Sequence, residues 1–487
     1  MKSSETIVAR DMSARDFRKF GHQLIDWVAD FMDGIDDTPV SASIKPGEVS
    51  RQLPGSAPPT GEPMENILAD IDRIIMPGMT HWNHPNFFAY FNSSASAAGV
   101  LGELLSAAFN INGMVWKSCP AATELEQVTL GWLRQMLGLP QDFWGIIYDT
   151  GSASTFHALA AAREEIAELN IREKGMSGRS EVPRLRMYTS EMAHSSVDKA
   201  AMALGIGLEN VRHIAVNEDY RMKPDALAAA IADDRRDGWR PFCVVATVGS
   251  TSCTSIDPIP EIAEICGREN IWLHVDACYG GSAALVPEFR HVLAGCERAD
   301  SIVINPHKWM FVPIDLSAFY TRKPEVLRRA FTLVPEYLRT TEEGVVNYMD
   351  YGIPLGRRFR ALKLWFVLRY FGQEGLATRI REHIRIAQTF SGWVESHPNF
   401  ERMAPAPLST VCFRAHPPAI NDIEKLNQLN ERLLAKINDT HEVFMTHTKL
   451  RDDFVIRLVV AHLRTEERHV NRAWEIIQQK LTEIIGR

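Results

Sequence analysis

Residues 301–309 read Ser-Ile-Val-Ile-Asn-Pro-His-Lys-Trp, a short apolar run followed at once by polar residues. The apolar part is rich in β-branched side chains and predicts a buried strand. Lys308 follows this strand, and the carboxyl edge of a parallel sheet is where α/β proteins bind their ligands. An amine at that edge can condense with an aldehyde cofactor. Because a lone lysine at a strand end is usually a surface residue, the prediction depends on the neighbouring strands.

Two further apolar runs precede this one at the spacing of strand–helix–strand units. Residues 271–276 read Ile-Trp-Leu-His-Val-Asp, and residues 242–248 are followed by Gly-Ser-Thr. Three successive strand ends would then bring hydroxyl groups, the Asp276 carboxylate and Lys308 to one edge of a sheet. A lysine together with an acid that keeps a pyridine nitrogen protonated is the set that pyridoxal phosphate (PLP) enzymes use. A metal site would need clustered His and carboxylate ligands instead, and a serine hydrolase a nucleophile elbow.

The composition is that of an ordinary globular protein. The chain has 487 residues, 45% of them hydrophobic and 23% charged, which is enough for about three domains. A net charge of −8 gives no electrostatic reason to expect nucleic acid or an anionic membrane as a partner. Seven scattered cysteines without a C-x-x-C pair are typical of a reducing compartment. With no visible signal peptide and no apolar run long enough to cross a bilayer, we expect a cytoplasmic protein.

Small residues form a second candidate site between residues 148 and 155. A predicted strand, 143–148, leads through Gly-Ser-Ala-Ser (151–154) into a predicted helix, 155–169. Backbone N–H groups and the helix dipole would hold an anion there. No lysine follows, so this is not a Walker sequence. His194 stands at a similar strand-to-helix transition, where it is either a structural residue or one that stacks on a planar cofactor.

Aromatic residues and a long loop raise further alternatives. Residues 84–91 contain Phe87, Tyr90 and Phe91, which are core residues or a wall for a flat substrate. Residues 332–349 lack periodicity and read as a loop, which at this length is often functional. Tyr337 in this loop is an incidental aromatic or a proton donor brought in by loop closure.

The flanking segments predict helices and a small terminal unit. Ser13 and Asp16 cap a first helix whose aromatic stripe needs a partner surface, either in its own domain or in another subunit. A second helix, 120–137, has a candidate capping box at Thr123 and Glu126. Near the carboxyl end we predict helices over 357–370 and 376–394 and a small α+β unit. That unit comprises strands 410–414, 443–447 and 454–460 and helices 423–437 and 466–485.

Five motifs carry a resemblance to a known family. They are residues 305–309 (Asn-Pro-His-Lys-Trp), 274–277 (His-Val-Asp-Ala), 84–91 (His-Pro-Asn-Phe-Phe-Ala-Tyr-Phe), 123–126 (Thr-Glu-Leu-Glu) and 353–360 (Ile-Pro-Leu-Gly-Arg-Arg-Phe-Arg). With these motifs the chain resembles the PLP-dependent group II amino-acid decarboxylases over nearly its whole length, and most closely the aromatic-L-amino-acid decarboxylases.

The resemblance implies an architecture. It implies the α/β fold type I of PLP-dependent transferases, with a mostly parallel seven-stranded sheet. The expected domains are a helical dimerisation domain (1–85), a large PLP-binding domain (86–375) and a small α+β domain (376–487). It also implies a homodimer with active sites at the interface, binding an amino-acid substrate and no nucleic acid, membrane or metal.

The resemblance also assigns roles residue by residue. Lys308 would hold the cofactor, Asp276 would pair with its ring nitrogen, His194 would stack on the ring, and Tyr337 would protonate the substrate carbon. The expected cofactor contacts also include Ala153, Ser154, Thr251, Asn305 and His307. The expected substrate contacts are Trp82, Phe91, Ser93, Asn112, Met114, His194 and Gly356.

The implied activity is decarboxylation of an aromatic L-amino acid to an arylalkylamine and CO2. Tyr337 matches the decarboxylases, whereas relatives that form aldehydes by oxidative deamination commonly have Phe there. Gly356 leaves room for a large ring. Asn112 and Met114 depart from the Ile and Phe usual in animal relatives, and Ser93 replaces a Thr, so the pocket is more polar. The alternatives are an aldehyde synthase, a decarboxylase for a non-aromatic or smaller amino acid, an aminotransferase and a catalytically silent dimeric scaffold.

Overall fold

A computed structural model of the chain describes residues 11–333 and 344–486. The helices are α1 Ala14–Gly34, α2 Glu48–Gln52, α3 Met64–Asp70, α4 Ala97–Phe109, α5 Pro120–Leu137, α6 Gly151–Glu164, α7 Ile171–Lys174, α8 Ser196–Ala203, α9 Pro224–Arg236, α10 Ile259–Glu269, α11 Pro306–Trp309, α12 Pro324–Phe331, α13 Ala361–Ser396, α14 Ile423–Asn438 and α15 Glu467–Ile485. The strands are β1 Trp144–Tyr148, β2 Leu185–Ser190, β3 Val211–Ile214, β4 Arg240–Thr247, β5 Trp272–Asp276, β6 Ser301–Ile304, β7 Ser317–Thr321, β8 Phe400–Arg402, β9 Thr410–Ala415, β10 Thr446–Leu450 and β11 Asp453–Val459.

The large sheet contains seven strands in the order β1-β7-β6-β5-β4-β2-β3. Strands β3, β2, β4, β5 and β6 pair in parallel, while β7 runs antiparallel to both β6 and β1. The expected mostly parallel, seven-stranded sheet is therefore confirmed. The three strands on which the prediction rests, β4, β5 and β6, are adjacent and parallel, so their carboxyl ends meet at one edge.

Both faces of this sheet are covered, which explains the continuous apolar runs. Along β4, Val244 and Ala246 pack into one core together with residues of α5, α9 and α10. Cys243 and Val245, which alternate with them, pack on the opposite face with α6, α8 and α12. Because side chains alternate across a strand, a strand buried on both faces must be apolar at every position. The site at its end rests on a rigid, fully buried scaffold.

The carboxyl-terminal region forms a second, antiparallel sheet in the order β10-β11-β9-β8. Its core combines these strands with α14, α15 and the second half of α13. Helix α13 is interrupted at Gly372, whose φ of +62° is left-handed, as the predicted helix end there requires. The predicted small α+β unit is present, with one additional three-residue edge strand, β8.

The apolar side of the first helix is only partly covered. Ser13 caps α1 by accepting a hydrogen bond from Asp16 N, as predicted. None of the α1 residues is buried, and the Phe17 side chain is 64% exposed. Its aromatic stripe is therefore not buried against the described part of its own chain. Among the helices of residues 11–333 and 344–486, none has the length and apolar character needed to span a membrane.

The predicted capping box at Thr123 and Glu126 is wrong. Helix α5 starts at Pro120, so Thr123 lies inside the helix and not at its cap. Glu126 instead accepts a hydrogen bond from Ile147 N (2.8 Å) and forms a buried ion pair with Arg357 (2.8 Å). The two motifs that contain Glu126 and Arg357 are thus joined by a charge pair at β1, which is a tertiary contact that local spacing does not reveal.

Two predicted boundaries also differ, each because the backbone has a distant partner. Residues 443–445 do not join strand β10, since Phe88 N donates to Phe444 O (2.9 Å) and Phe444 N donates to Asn86 O (3.2 Å). The helix predicted from residue 357 begins at Ala361. The backbone of Arg357 forms hydrogen bonds outside the helix. Its N–H donates to Asn112 Oδ1 (2.9 Å) and its carbonyl accepts from Gly113 N (2.9 Å).

Candidate active site

A cleft of about 190 Å³ opens at the carboxyl ends of β4, β5 and β6. It brings together seven of the residues singled out in the sequence. They are Phe91, His194, Thr251, Asp276, Asn305, His307 and Lys308. Strands β5 and β6 pair in parallel with Asp276 opposite Val303, so the carboxylate and the lysine project from neighbouring strand ends.

A larger cavity, of about 610 Å³, lies at the opposite edge of the sheet. It is lined by Arg240 and Trp272, at the amino ends of β4 and β5, and by Lys323, which follows the antiparallel strand β7. Open α/β sheets bind ligands outside the carboxyl ends of their strands. The smaller cleft has both this position and the reactive side chains, so it is the candidate site.

Aromatic rings form one wall of the cleft. The Lys308 Nζ atom lies 5.4 Å from the centre of the Phe91 ring. Phe91 stacks on Tyr279 with ring centres 3.8 Å apart, and Tyr279 stacks on the buried Trp309 at 4.7 Å. This column keeps water away from one side of the lysine and fixes Phe91, which would otherwise be free to rotate.

Asp276 is buried and ionised. Its side chain is largely shielded from solvent, and Oδ1 accepts a hydrogen bond from Cys278 N (3.1 Å). Burial alone would raise the pKa of Asp276, but the positive charge of Lys308 and hydrogen bonds from Cys278 bring the pKa below its usual value. A negative charge is therefore maintained at the floor of the cleft.

Both histidines of the cleft are held in one tautomer. His194 Nδ1 accepts from Ser196 N (3.1 Å), and His307 Nδ1 accepts from Leu316 N (2.8 Å). Burial lowers the pKa of His194, and burial together with the charge of Lys308 lowers the pKa of His307 to about 3. Since both rings are neutral and Nδ1 is an acceptor, the proton resides on Nε2 in each.

The amino end of α6 forms an anion cradle. Thr150 caps the helix, accepting from Ala153 N (3.3 Å), and Gly151 and Ser152 line the cleft. A methyl group at Gly151 would lie 2.6 Å from Cys278 Sγ and 2.7 Å from Asn305 Nδ2, so glycine is required there. N–H groups in the first helical turn lack intrahelical partners and attract anions. This set of groups fits PLP. The amine suits its aldehyde, the buried carboxylate suits its ring nitrogen, and the cradle suits its phosphate.

The predicted cofactor contacts Ala153 and Ser154 come directly after Thr150, Gly151 and Ser152, which line the cleft, and are not in the lining themselves. Ser154 is fully buried, and its hydroxyl oxygen is 2.7 Å from Ser317 Oγ. The predicted loop is thus at the site, but its exposed surface is supplied by Thr150, Gly151 and Ser152. The helix starts at Gly151, four residues earlier than predicted, and this turns Ser154 toward the core.

Five predicted substrate contacts do not line the cleft of their own chain. Trp82 stacks on Tyr90 at a centre distance of 5.2 Å on the surface. Asn112, Met114 and Gly356 cluster elsewhere, with Asn112 Nδ2 located 3.6 Å from Met114 Sδ. A methyl group at Gly356 would lie 3.5 Å from Asn112 Nδ2. The fifth contact, Ser93, is likewise outside the lining, and the predicted proton donor Tyr337 lies outside the described residues.

Eight lining residues were not among the individually predicted contacts, although Gly151 and Ser152 belong to the predicted anion cradle. They are Thr150, Gly151, Ser152, Ser196, Thr247, Gly249, Cys278 and Tyr279. Each lies within a few residues of a predicted one, so the strand ends were the right signal. Which of them face the cleft depends on helix starts and on turns after the strands, such as Gly249 with a φ of +87°.

The carboxyl-terminal sheet also reaches the cleft. From β11, Arg457 Nη2 donates to Thr251 O (2.7 Å) and Arg457 Nε donates to Ser252 O (2.8 Å). Tyr279 in the cleft wall hydrogen-bonds to Ser409 (2.5 Å). The loop after β4 is therefore held from the side of the second sheet.

Buried histidines make stability depend on pH. Burial is the main cause that lowers the pKa of five of them, to about 4 for His84, His157 and His274 and about 3 for His307 and His462. Unfolded histidine takes up a proton near pH 6.5, so stability is complete above that pH and is lost as the pH falls toward 4. The loss per histidine is up to about 1.4 kcal/mol per pH unit.

The buried carboxyl group of Asp257 opposes this trend. Burial raises its pKa to about 6, so the folded protein takes up a proton there before the unfolded chain does, and stability increases as the pH falls through 6. Five groups outweigh one, so we expect the urea midpoint, followed by circular dichroism, to drop steadily between pH 7 and pH 5. Constant midpoints over that range would contradict the neutral, buried state of these rings.

Comparison with known proteins gives concordant matches. The profile of the pyridoxal-dependent decarboxylase conserved domain matches residues 46–416. Tryptophan decarboxylase 2 of Oryza sativa subsp. japonica is 40% identical, with 98% of this chain and 97% of the relative aligned. Aromatic-L-amino-acid decarboxylase of Rattus norvegicus is also 40% identical, with 97% and 99% aligned.

Two further matches concern the reaction product and the fold. Phenylacetaldehyde synthase of Arabidopsis thaliana is 38% identical, with 100% of both chains aligned. Among solved structures, Oryza sativa TDC with PLP and tryptamine superimposes with a TM-score of 0.93 at 35% identity, covering 98% of this chain and 100% of that one. These relatives align over nearly the whole chain, yet their names indicate different products, an amine for the decarboxylases and an aldehyde for the synthase.

Proposed function

Because the chain belongs to the pyridoxal-dependent decarboxylase family, we propose that it converts an aromatic L-amino acid to its arylalkylamine and CO2. It is a PLP-dependent carboxy-lyase of fold type I. The observation that carries the proposal is the single cleft in which Lys308, the buried Asp276 carboxylate and the α6 cradle meet. The aromatic substrate class is supported by the relatives named tryptophan and aromatic-L-amino-acid decarboxylase.

The residues of the cleft have different roles in the proposed reaction. Lys308 would provide the amine that holds the cofactor, and the same amine can carry a proton. The cradle at α6, with Asn305, Thr251 and His307 around it, would bind the phosphate side. Ala153 and Ser154 contribute through the helix they belong to, and Ala153 N is already used by the Thr150 cap.

When bound, pyridoxal phosphate supplies the electron sink for the pair left on Cα as CO2 departs. Asp276 keeps the ring nitrogen protonated, because its negative charge raises the pKa of that nitrogen. His194 lines the cleft as a neutral ring and would stack on the cofactor. These two residues act by charge and by position, without a covalent bond.

Which bond to the substrate Cα breaks depends on how the substrate is oriented in the cleft. The Phe91–Tyr279 wall and His194 would bind the substrate and select the bond to its carboxyl group by orienting it for cleavage. The same apolar wall excludes water near the carboxylate, which favours its loss as neutral CO2. We propose Tyr337 as the donor that then protonates Cα.

The chain assembles as a homodimer in this proposal. Phe17 on α1 and Leu104 and Phe109 on α4 are large apolar side chains exposed on helices near the amino terminus. Exposed apolar patches of this kind mark protein interfaces. A second copy of the chain would cover them. The five predicted substrate contacts that do not line the cleft of their own chain could then contact the substrate at the interface; they are Trp82, Ser93, Asn112, Met114 and Gly356. The division into 1–85, 86–375 and 376–487 and the cytoplasmic location belong to the same proposal.

A substrate panel tests the function. Tryptophan, 5-hydroxytryptophan, tyrosine, dihydroxyphenylalanine, phenylalanine and histidine should be supplied separately, and amine, ammonia and peroxide measured for each. Amine without peroxide on at least one aromatic acid is the expected result. Stoichiometric peroxide would identify an aldehyde synthase, the alternative favoured by the 38% identity to phenylacetaldehyde synthase. Amino-group transfer to a keto acid would identify an aminotransferase.

Replacing Tyr337 with phenylalanine tests the proton donor. Without a phenol, protonation of Cα slows by about 10²–10⁴-fold, the usual contribution of a positioned acid. Oxygen can then compete, so we expect product to shift from amine toward aldehyde, with peroxide rising. Tyr370→Phe, at an exposed tyrosine outside the cleft, is the matched control. Unchanged amine output with background peroxide would remove Tyr337 from the mechanism.

A further inference from the structure

His157 is a buried histidine on α6, the helix whose first turn forms the anion cradle, and the proposed reaction does not use it. Its Nδ1 atom lies 2.7 Å from Ala153 O, and its Nε2 atom accepts a hydrogen bond from Ile353 N (3.3 Å). Because a carbonyl can only accept and a backbone N–H can only donate, Nδ1 carries the proton and Nε2 does not. Burial lowers the pKa of His157 to about 4, so Nε2 stays an acceptor at neutral pH. The ring therefore bridges the cradle helix to a segment 196 positions later in the chain.

The His157 ring is also fixed by packing on the last residue of β1. It stacks on Tyr148 with ring centres 4.1 Å apart and an angle of 8° between the ring planes. The Tyr148 hydroxyl in turn donates to Tyr351 O (2.5 Å). A methyl group at Gly352 would lie 2.9 Å from His157 Nε2, so the backbone there passes directly against the ring. Residues 351–353 are thus held by two side chains, one from β1 and one from α6.

The 353–356 segment lies between this contact and a second fixed point at Arg357. The Arg357 side chain is held by its buried ion pair with Glu126 (2.8 Å). All four residues of the 353–356 segment are exposed, so the segment takes its position from its two ends. It contains Gly356, one of the predicted substrate contacts that do not line the cleft of their own chain. His157 is the point at which this segment is joined to the cradle helix.

We propose that His157 is a positioning residue for substrate binding, which holds the 353–356 segment, and with it Gly356, at a fixed place relative to α6. This rests on the proposed function, because Gly356 would contact the substrate only in the proposed homodimer. There the segment would serve the cleft of the partner subunit, while the cradle at the start of α6 serves the cleft of its own chain. His157 would thus join the anion cradle of one cleft to a substrate contact of the other, without touching substrate or cofactor itself.

Two substitutions of His157 separate the hydrogen bond from the packing. His157→Phe keeps a ring against Tyr148 but accepts no hydrogen bond, so the N–H of Ile353 loses its partner. We expect KM for the aromatic amino acid to rise about five- to tenfold, as for one lost hydrogen bond, with kcat within about twofold of wild type. His157→Gln has an amide N–H for Ala153 O and a carbonyl for Ile353 N. It should return KM to within about twofold of wild type.

Hydrogen–deuterium exchange provides a measurement that needs no substrate. Peptides that cover residues 351–357 should exchange faster in His157→Phe, because the N–H of Ile353 is no longer held, and at the wild-type rate in His157→Gln. Gly352→Ala disturbs the same contact from the other side, since its methyl group cannot remain 2.9 Å from His157 Nε2. It should raise both KM and the exchange rate, so the test does not depend on the folding of the phenylalanine variant.

His469→Phe is the matched control. His469 is buried, and its Nδ1 also accepts from a backbone N–H, that of Glu466 (2.8 Å), at the start of α15. This variant should change neither KM nor the exchange of residues 351–357.

Three outcomes would contradict these expectations. Wild-type KM and exchange in His157→Phe, or in Gly352→Ala if the phenylalanine variant is misfolded, would overturn the inference and leave the proposed function intact. A change in His157→Phe that glutamine does not reverse would assign His157 to packing only and would also overturn the inference. Wild-type protein that forms no amine from any aromatic acid would overturn the proposed function itself.

Discussion

Replacement of Lys308 by alanine is expected to reduce amine formation below about 1% of the wild-type rate, since loss of a proton-transfer group alone typically costs about 10²–10⁴-fold. The lysine supplies both the amine that attaches the cofactor and a proton carrier. Lys308 is the one lysine that lines the cleft among the described residues, so no other amine there takes its place. The variant should also lose the absorption band of covalently held cofactor.

Two variants separate chemistry from folding. Lys308→Arg keeps a positive charge beside Asp276 but provides no amine that can condense with an aldehyde, and it should be as inactive as alanine. Lys323→Ala removes a lysine at the opposite edge of the sheet, where it pairs with Glu165 (2.7 Å) and Asp300 (3.0 Å). It should keep most of the activity. A folded Lys308→Ala protein with more than about 1% activity would contradict the assignment.

The success of the sequence prediction at this lysine has a local cause. A strand buried on both faces is almost continuously apolar, so 301–304 and 271–275 stand out in the sequence and the polar residues after them mark the sheet edge. Strand–helix–strand spacing then puts successive edges together. Asp276 and Lys308 could be paired on these grounds because both follow directly from the end of a strand.

The failures occur where a distant partner decides the outcome. Glu126 matches a capping box locally, but its carboxylate is used by Arg357, more than 200 positions later in the chain. Residues 443–445 have strand character and pair with 86–88 in place of β11. Nothing within a few residues of either segment reveals these contacts. Local patterns therefore predicted which elements exist, and tertiary contacts decided where several of them end.

The same distinction between local patterns and tertiary contacts explains which residues of the site were predicted correctly. Residues that lie at strand ends, such as Thr251 and Asn305, were predicted as contacts and line the cleft. Residues assigned by resemblance to the substrate, such as Asn112 and Gly356, lie outside it in the single chain. Their position is set by the pairing of segments 112–114 and 356–357 with each other. In the proposed homodimer a second chain would complete these contacts, and the geometry of one chain does not contain them.

Asp276→Asn is expected to have the second-largest effect on catalysis. Asparagine has the same shape and keeps an oxygen that accepts from Cys278 N, so the fold and this hydrogen bond are preserved. What it loses is the negative charge, and an opposite charge in this position shifts a pKa by about 1–3 units. The ring nitrogen would then be largely unprotonated at neutral pH. We expect kcat to fall by about 100-fold and PLP to bind more weakly.

Asp276→Glu distinguishes charge from shape in this prediction. It keeps the carboxylate but adds a methylene group in a buried, closely packed site, so its geometry is worse than that of asparagine. If charge is the decisive property, the glutamate variant retains more activity than the asparagine variant despite the poorer fit. Acidic conditions should recover part of the asparagine variant's activity, because a lower pH protonates the ring nitrogen without help from the protein. An asparagine variant within about threefold of wild type, with the same pH profile, would show that the carboxylate at position 276 does not control protonation of the ring.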